Sequence, residues 1–141
     1  MGLGILGVSF ILHMIKAWEK MSRQAELQEV IRQLRQAVPE ITGVMVASTD
    51  GLSLASNLPE AEAARTAAMA ATALGLGKRI AQTSGLGGLE EVVVRGQEGY
   101  LVVYSAGERG VLAVAAPMGA NLGLIHLEAR GLAQRIAQAL A

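Results

Sequence analysis

The segment from Pro59 to Ser84 constrains the fold more than any other, because it reads as one long helix with two apolar faces. At helical spacing Ala63, Ala67, Ala70, Leu74, Gly77 and Ala81 form one stripe, and Met69, Ala73, Leu76 and Ile80 form a second. A helix lying on one side of its own sheet needs a single apolar face, so the second calls for a partner, and small side chains let two backbones approach closely. The alternative is a helix rich in alanine only because alanine favours helix. Composition favours the partner: 52% of residues are hydrophobic and 17% charged, where a soluble domain usually carries about 25% charge. Between the faces Arg65, Thr72 and Arg79 recur every seven residues as a polar line, either simply solvated or in contact with a third protein.

The rest of the chain supplies a sheet for that helix. From Ser22 the apolar residues Leu27, Val30, Ile31, Leu34 and Val38 fall at spacings of three and four, and Pro39 ends this first helix. Val44 to Thr49 and Leu52 to Ser56 flank Asp50-Gly51, a strong hairpin signal. Asn57 offers an N-cap for the long helix, Pro59 suits its first turn, and Glu60 and Glu62 complement its dipole. Gly85-Leu86-Gly87-Gly88 breaks it. Leu89 to Val94, Tyr100 to Ser105 and Val111 to Ala115, joined by short polar connections, then predict an antiparallel meander. Asn121 can cap a last helix whose Leu122, Ile125, Ala129, Leu132, Ile136 and Leu140 form one stripe. The class is α+β, with the order α-β-β-α-β-β-β-α.

At 141 residues the chain fits one domain, residues 22–141, behind an apolar extension, residues 1–21. Gly2 to Ile15 is apolar apart from Ser9 and His13. As a helix it spans about 21 Å, against about 30 Å of bilayer hydrocarbon. A secretory signal needs a basic region before its apolar run, and here the first base, Lys16, follows it. Three readings stay open: an arm docked on its own or a partner chain, a natural start at Met14 or Met21, or a weak anchor that touches a membrane surface through residues 1–20.

Several chemistries fail on spacing or context. Twelve basic residues balance twelve acidic ones with no basic run, so no nucleic acid partner is expected. Phe10, Trp18, Tyr100 and Tyr104 are too few for a stacking platform and read as core. The absence of cysteine suits the cytoplasm. Gly2, Gly4 and Gly7 have dinucleotide-loop spacing, but no strand can precede them. Gly77-Lys78 ends like a phosphate loop, yet Arg79 replaces the hydroxyl residue and Thr72 the first glycine. His13 and His126 lack partners at ligand spacing, so no metal is expected. Ser48, Asp50 and His126 lack a nucleophile elbow, and Glu90 and Glu91 should face opposite sides of a strand as edge charges. The chain is expected to be no enzyme and to need no cofactor.

This order of elements, with Ile41-Thr42-Gly43-Val44 leading into Asp50-Gly51, resembles the Roadblock family of dynein light chains and prokaryotic GTPase regulators. The Ala-rich helix from Glu60 to Ile80, the strand Glu91-Val92-Val93-Val94 and Asn121-Leu122-Gly123-Leu124 before the closing helix are similar too, over about residues 22 to 140. The resemblance implies a five-stranded antiparallel sheet with the central helix on one face and the terminal helices on the other. It also implies a homodimer joined through central helices and third strands, so that Ala63, Ala67, Ala70, Leu74, Glu91, Val92 and Val93 become its interface. The implied partner is a Ras-like small GTPase, as for a gliding-motility regulator that speeds GTP hydrolysis from its helix side. Arg65, Met69, Thr72, Leu76 and Arg79 are then the expected contacts. The rival is a structural dimer that organises a larger or membrane-associated complex without acting on hydrolysis. A sensor with a ligand pocket between sheet and helix is a third reading with few polar candidates. The expected location is the cytoplasm, at the inner face of the membrane if the extension is an anchor.

Overall fold

A computed structural model describes residues 4–141. The elements run α1 (Ile5–Ala37), β1 (Gly43–Ser48), β2 (Ser53–Ser56), α2 (Glu60–Thr83), β3 (Glu91–Arg95), β4 (Gly99–Ala106), β5 (Gly110–Pro117) and α3 (Leu122–Leu140). The five strands form one sheet in the order β2-β1-β5-β4-β3, every neighbouring pair antiparallel. The fold class and element order are those read from the sequence.

Strand alternation divides the core in two. Val44 and Val46 of β1, Val102 and Tyr104 of β4, and Leu112, Val114 and Ala116 of β5 face α1 and α3. Met45 and Ala47, Val103, and Val111 and Ala113 of the same strands face α2. The first layer is thick, since α1 supplies Leu27, Val30, Ile31 and Leu34 and α3 supplies Ile125, Ala129, Ile136 and Leu140. The α2 layer is thin, because that helix offers mostly alanines and lies close to the sheet.

Local chemistry sets the boundaries. Gly51 turns the β1–β2 hairpin at φ 90°, a left-handed conformation that favours glycine. Its amide donates to the Ser48 carbonyl at 3.0 Å. Asn121 caps α3 as expected, its side-chain oxygen accepting from the Leu124 amide at 3.0 Å. Asn57 does not cap α2. Its side-chain oxygen accepts from the Val44 amide at 2.8 Å, and its own amide donates to the Val44 carbonyl at 3.2 Å. Asn57 thus clasps the end of β2 to the start of β1, a task that one residue cannot combine with capping the next helix.

The extension also differs from the sequence reading. The described part of the apolar run is helical and continuous with the first helix, because nothing from Val8 to Val38 breaks it. Among the described residues it docks on no other part of the chain, and Phe10 and Trp18 lie exposed rather than in the core. Of the dinucleotide-like glycines, Gly2 lies outside the described residues, Gly4 directly precedes α1 and Gly7 lies within it.

Candidate functional site

Helix α2 resolves its two apolar faces unequally. Ala63, Ala67, Ala70, Leu74 and Ala81 are buried against the chain's own sheet. The first four, expected at the contact with a second copy, are thus already covered within one chain, and Ala67, Ala70 and Leu74 close the thin core layer under β1, β4 and β5. Both faces are apolar in the sequence, so periodicity identified them without saying which one the sheet would take.

The second face is left uncovered. Met69 and Leu76 each expose 59% of their surface and Ile80 exposes 53%. Two glycines fix how α2 sits. A Cβ on Gly77 would lie 2.6 Å from Val92 Cγ2 and 3.1 Å from Leu89 Cδ2, so this side of the helix leans directly on β3. A Cβ on Gly51 would lie 3.4 Å from the Ala68 Cα, so the opposite flank meets the β1–β2 turn. At 100° per residue, Ala73, Ile80, Met69 and Leu76 then fall on the β3 side of the outward face. Arg65, Thr72 and Arg79 run along its middle, and all three are exposed. Among the described residues neither arginine has an ion-pair partner within 4.0 Å. Thr72 donates its hydroxyl to the Ala68 carbonyl at 2.8 Å, so its donor is already used within the helix.

Beside this face runs a free sheet edge. β3 pairs only with β4, from Glu91 opposite Tyr104 to Arg95 opposite Tyr100. Val92 packs under α2, while Val93 and Val94 are exposed. An unpaired edge next to an apolar helix stripe is a surface on which a further strand and helix can be added.

Glu91 behaves differently from the edge charge expected. Its carboxylate is mostly covered, 2.6 Å from the Arg130 guanidinium and 3.5 Å from His126 Nδ1. The Tyr104 hydroxyl lies 2.6 Å from the same nitrogen, with the two rings edge to face. Arg130 also reaches Glu90 at 3.4 Å, so the neighbouring glutamates converge on one cation instead of pointing apart. Burial, then the charge of Glu91, pushes the Tyr104 phenol well above its ordinary range. Pairing with Glu91 raises the Arg130 guanidinium further. The cluster ties α3 to the β3 edge and turns Glu91 inward, away from any strand added there. His126 gave no sign of this in the sequence, because its partners Glu91 and Tyr104 lie on β3 and β4.

Among the described residues no group of three or more histidines, cysteines or acids stands close enough to hold a metal. Ser48 donates nothing to His126; its hydroxyl oxygen instead accepts from the Leu52 amide at 3.1 Å, within the hairpin.

Residues 27–116 match the Roadblock/LC7 domain family. Two uncharacterized proteins of Methanocaldococcus jannaschii are 39% and 38% identical over 97 residues, which is 68% of this chain and 84% and 81% of those proteins. A Roadblock/LC7 domain from Streptomyces avermitilis superposes with a TM-score of 0.74 at 29% identity, over 79% of this chain and 94% of that one. The gliding protein MglB from Thermus thermophilus has the same fold, with a TM-score of 0.72 at 19% identity over 83% of this chain and 90% of that one.

Proposed function

The chain belongs to the Roadblock/LC7 domain family, and from that premise we propose that it is a non-catalytic regulator that works as a homodimer and binds a Ras-like small GTPase on its α2 side. The observation that carries this reading is the pairing of an uncovered apolar stripe on α2 with a free β3 edge on the same flank. Two copies related by a twofold axis at that edge would pair β3 with β3 and bring Met69, Ala73, Leu76 and Ile80 of each α2 together. The dimer interface is thus this stripe with Val92 to Val94. In the strand it keeps the expected Val92 and Val93; on the helix it replaces the residues turned to the sheet.

Pairing on that flank leaves Arg65, Thr72 and Arg79 facing outward on both helices, with Met69 and Leu76 at the seam. A GTPase seated across the seam would touch residues of both copies. Successive members of the line stand about 10.5 Å apart, one per seven residues. Stimulating hydrolysis needs no reacting group from this chain, because ordering the GTPase's own loops around its nucleotide lowers the barrier. The working place is the cytoplasm.

The test is binding of purified Ras-like GTPases, loaded with GDP or a GTP analogue, followed by calorimetry and light scattering. The dimer is expected to bind one nucleotide form preferentially, and Arg65→Glu combined with Arg79→Glu to weaken binding at least tenfold while the dimer persists. Full binding by the double variant refutes the placement on α2. Indifference to the bound nucleotide favours the structural rival.

A further inference from the structure

The described part of the apolar extension is a helix with nothing on it. From Gly4 to Ala25 every residue is exposed except Gly7, which is half-buried. Leu6 and Phe10 project on one side, Ile11 and Ile15 on another, and Ile5 and Leu12 on a third, at 100° per residue. Only Ser9 and His13 interrupt this surface, on a single side.

Apolar residues on every side narrow the choice of cover. A coiled coil or small bundle buries one stripe of each helix and turns the rest to water, whereas between residues 5 and 15 only Ser9 and His13 suit water. A stretch this short serves as a buried core helix or as a segment in the membrane interface. It is no core helix of this chain, and among the described residues no helix is long and apolar enough to cross a membrane. The residues that follow it fit the boundary of a bilayer. Lys16, Lys20 and Arg23 lie on one side of the helix, in line with Ser9 and His13. Trp18, 69% exposed, and Met21 lie on the other. Basic side chains among anionic headgroups and an indole at the apolar boundary are the usual anchors of an interfacial helix.

We propose that the first part of α1 docks the domain on an anionic lipid bilayer, with residues 5–15 in the acyl region and Lys16, Lys20 and Arg23 among the headgroups. The helix then continues without a break into Leu27, Val30 and Leu34 of the core, so lipid and domain are joined by one rod. About 16 Å of helix separate Lys16 from Leu27, at 1.5 Å per residue. This docking does not depend on what α2 binds.

The probe is the full chain with vesicles of phosphatidylcholine alone or with one third phosphatidylglycerol. Trp18 is the only tryptophan, so its emission reports this segment alone. Flotation with the anionic vesicles and a blue shift of Trp18 emission are expected. Phe10→Ser with Ile11→Ser should reduce partitioning at least tenfold on both kinds of vesicle. Lys16→Glu with Lys20→Glu should reduce it about tenfold on the anionic ones only. These positions lie outside the folded core, so an unchanged unfolding midpoint certifies the variants. Trp18 emission unaltered by vesicles overturns the proposal. So does a lipid-free assembly that shields Trp18 and persists when vesicles are added, which would make other copies of this chain the cover.

Discussion

Gly75 and Gly77 sit in the same turn of α2 and should respond oppositely to the same substitution. A Cβ at Gly75 meets nothing within 4 Å, so Gly75→Ala gains helix propensity alone and should stabilise by about 0.5–1 kcal/mol. At Gly77 the added methyl collides with Val92 Cγ2, which is fixed on a strand and cannot swing aside as a long side chain would. Overpacking costs about 1–3 kcal/mol and the propensity gain offsets about 1. Gly77→Ala should therefore be net destabilising by about 1 kcal/mol, read as a lower urea midpoint. Tyr104 gives a second residue-scale expectation. Its phenol is held neutral above its unfolded value of about 10, so the folded state keeps its proton while the unfolded state loses it. That contribution to stability is complete below about pH 10 and lost as pH rises further. Urea midpoints measured from pH 8 to 11 should fall more steeply for the natural chain than for Tyr104→Phe. At pH 7 the same variant should cost about 1 kcal/mol for the lost hydrogen bond to His126.

At the scale of elements, α2 and β3 form one surface, and the proposed dimer should fail when either is spoiled. Leu76→Glu with Ile80→Glu places charges on the exposed stripe without touching the buried alanines. It should give a monomer by light scattering while leaving the thermal midpoint of the chain's own core within a few degrees. A dimer that survives these charges would remove α2 from its interface. The elements themselves were legible in the sequence because periods of two and 3.6 differ sharply and the breakers Pro39, Asp50-Gly51 and Gly85-Leu86-Gly87-Gly88 stand between them. The allocation of faces was not legible. Which side of α2 meets the sheet depends on close approach at Gly77 and beside Gly51, contacts between segments distant in sequence. Asn57 misled for a related reason: a residue placed to cap a helix found a stronger use across the sheet, with Val44. Glu91 and His126 gave no hint of meeting, since only the fold sets the β3 edge beside α3.

For the whole molecule, the sheet separates two working surfaces. α1 and α3 lie on one face and α2 on the other, so a bilayer held by the start of α1 and a GTPase held by α2 need not compete. Among the described residues no side chain before Leu27 is buried, whereas Leu27, Val30 and Leu34 are fully so. Removing residues 1–21 should accordingly leave the unfolding midpoint and the affinity for a GTPase in solution nearly unchanged. Recruitment is where the truncation should tell. With anionic vesicles present, the full chain should float its GTPase, whereas the truncated chain should bind the GTPase equally well and leave it in the soluble fraction. If the truncated chain lost GTPase binding as well, the extension would belong to the protein-binding surface. The separation of lipid docking from regulation across the sheet would then not hold.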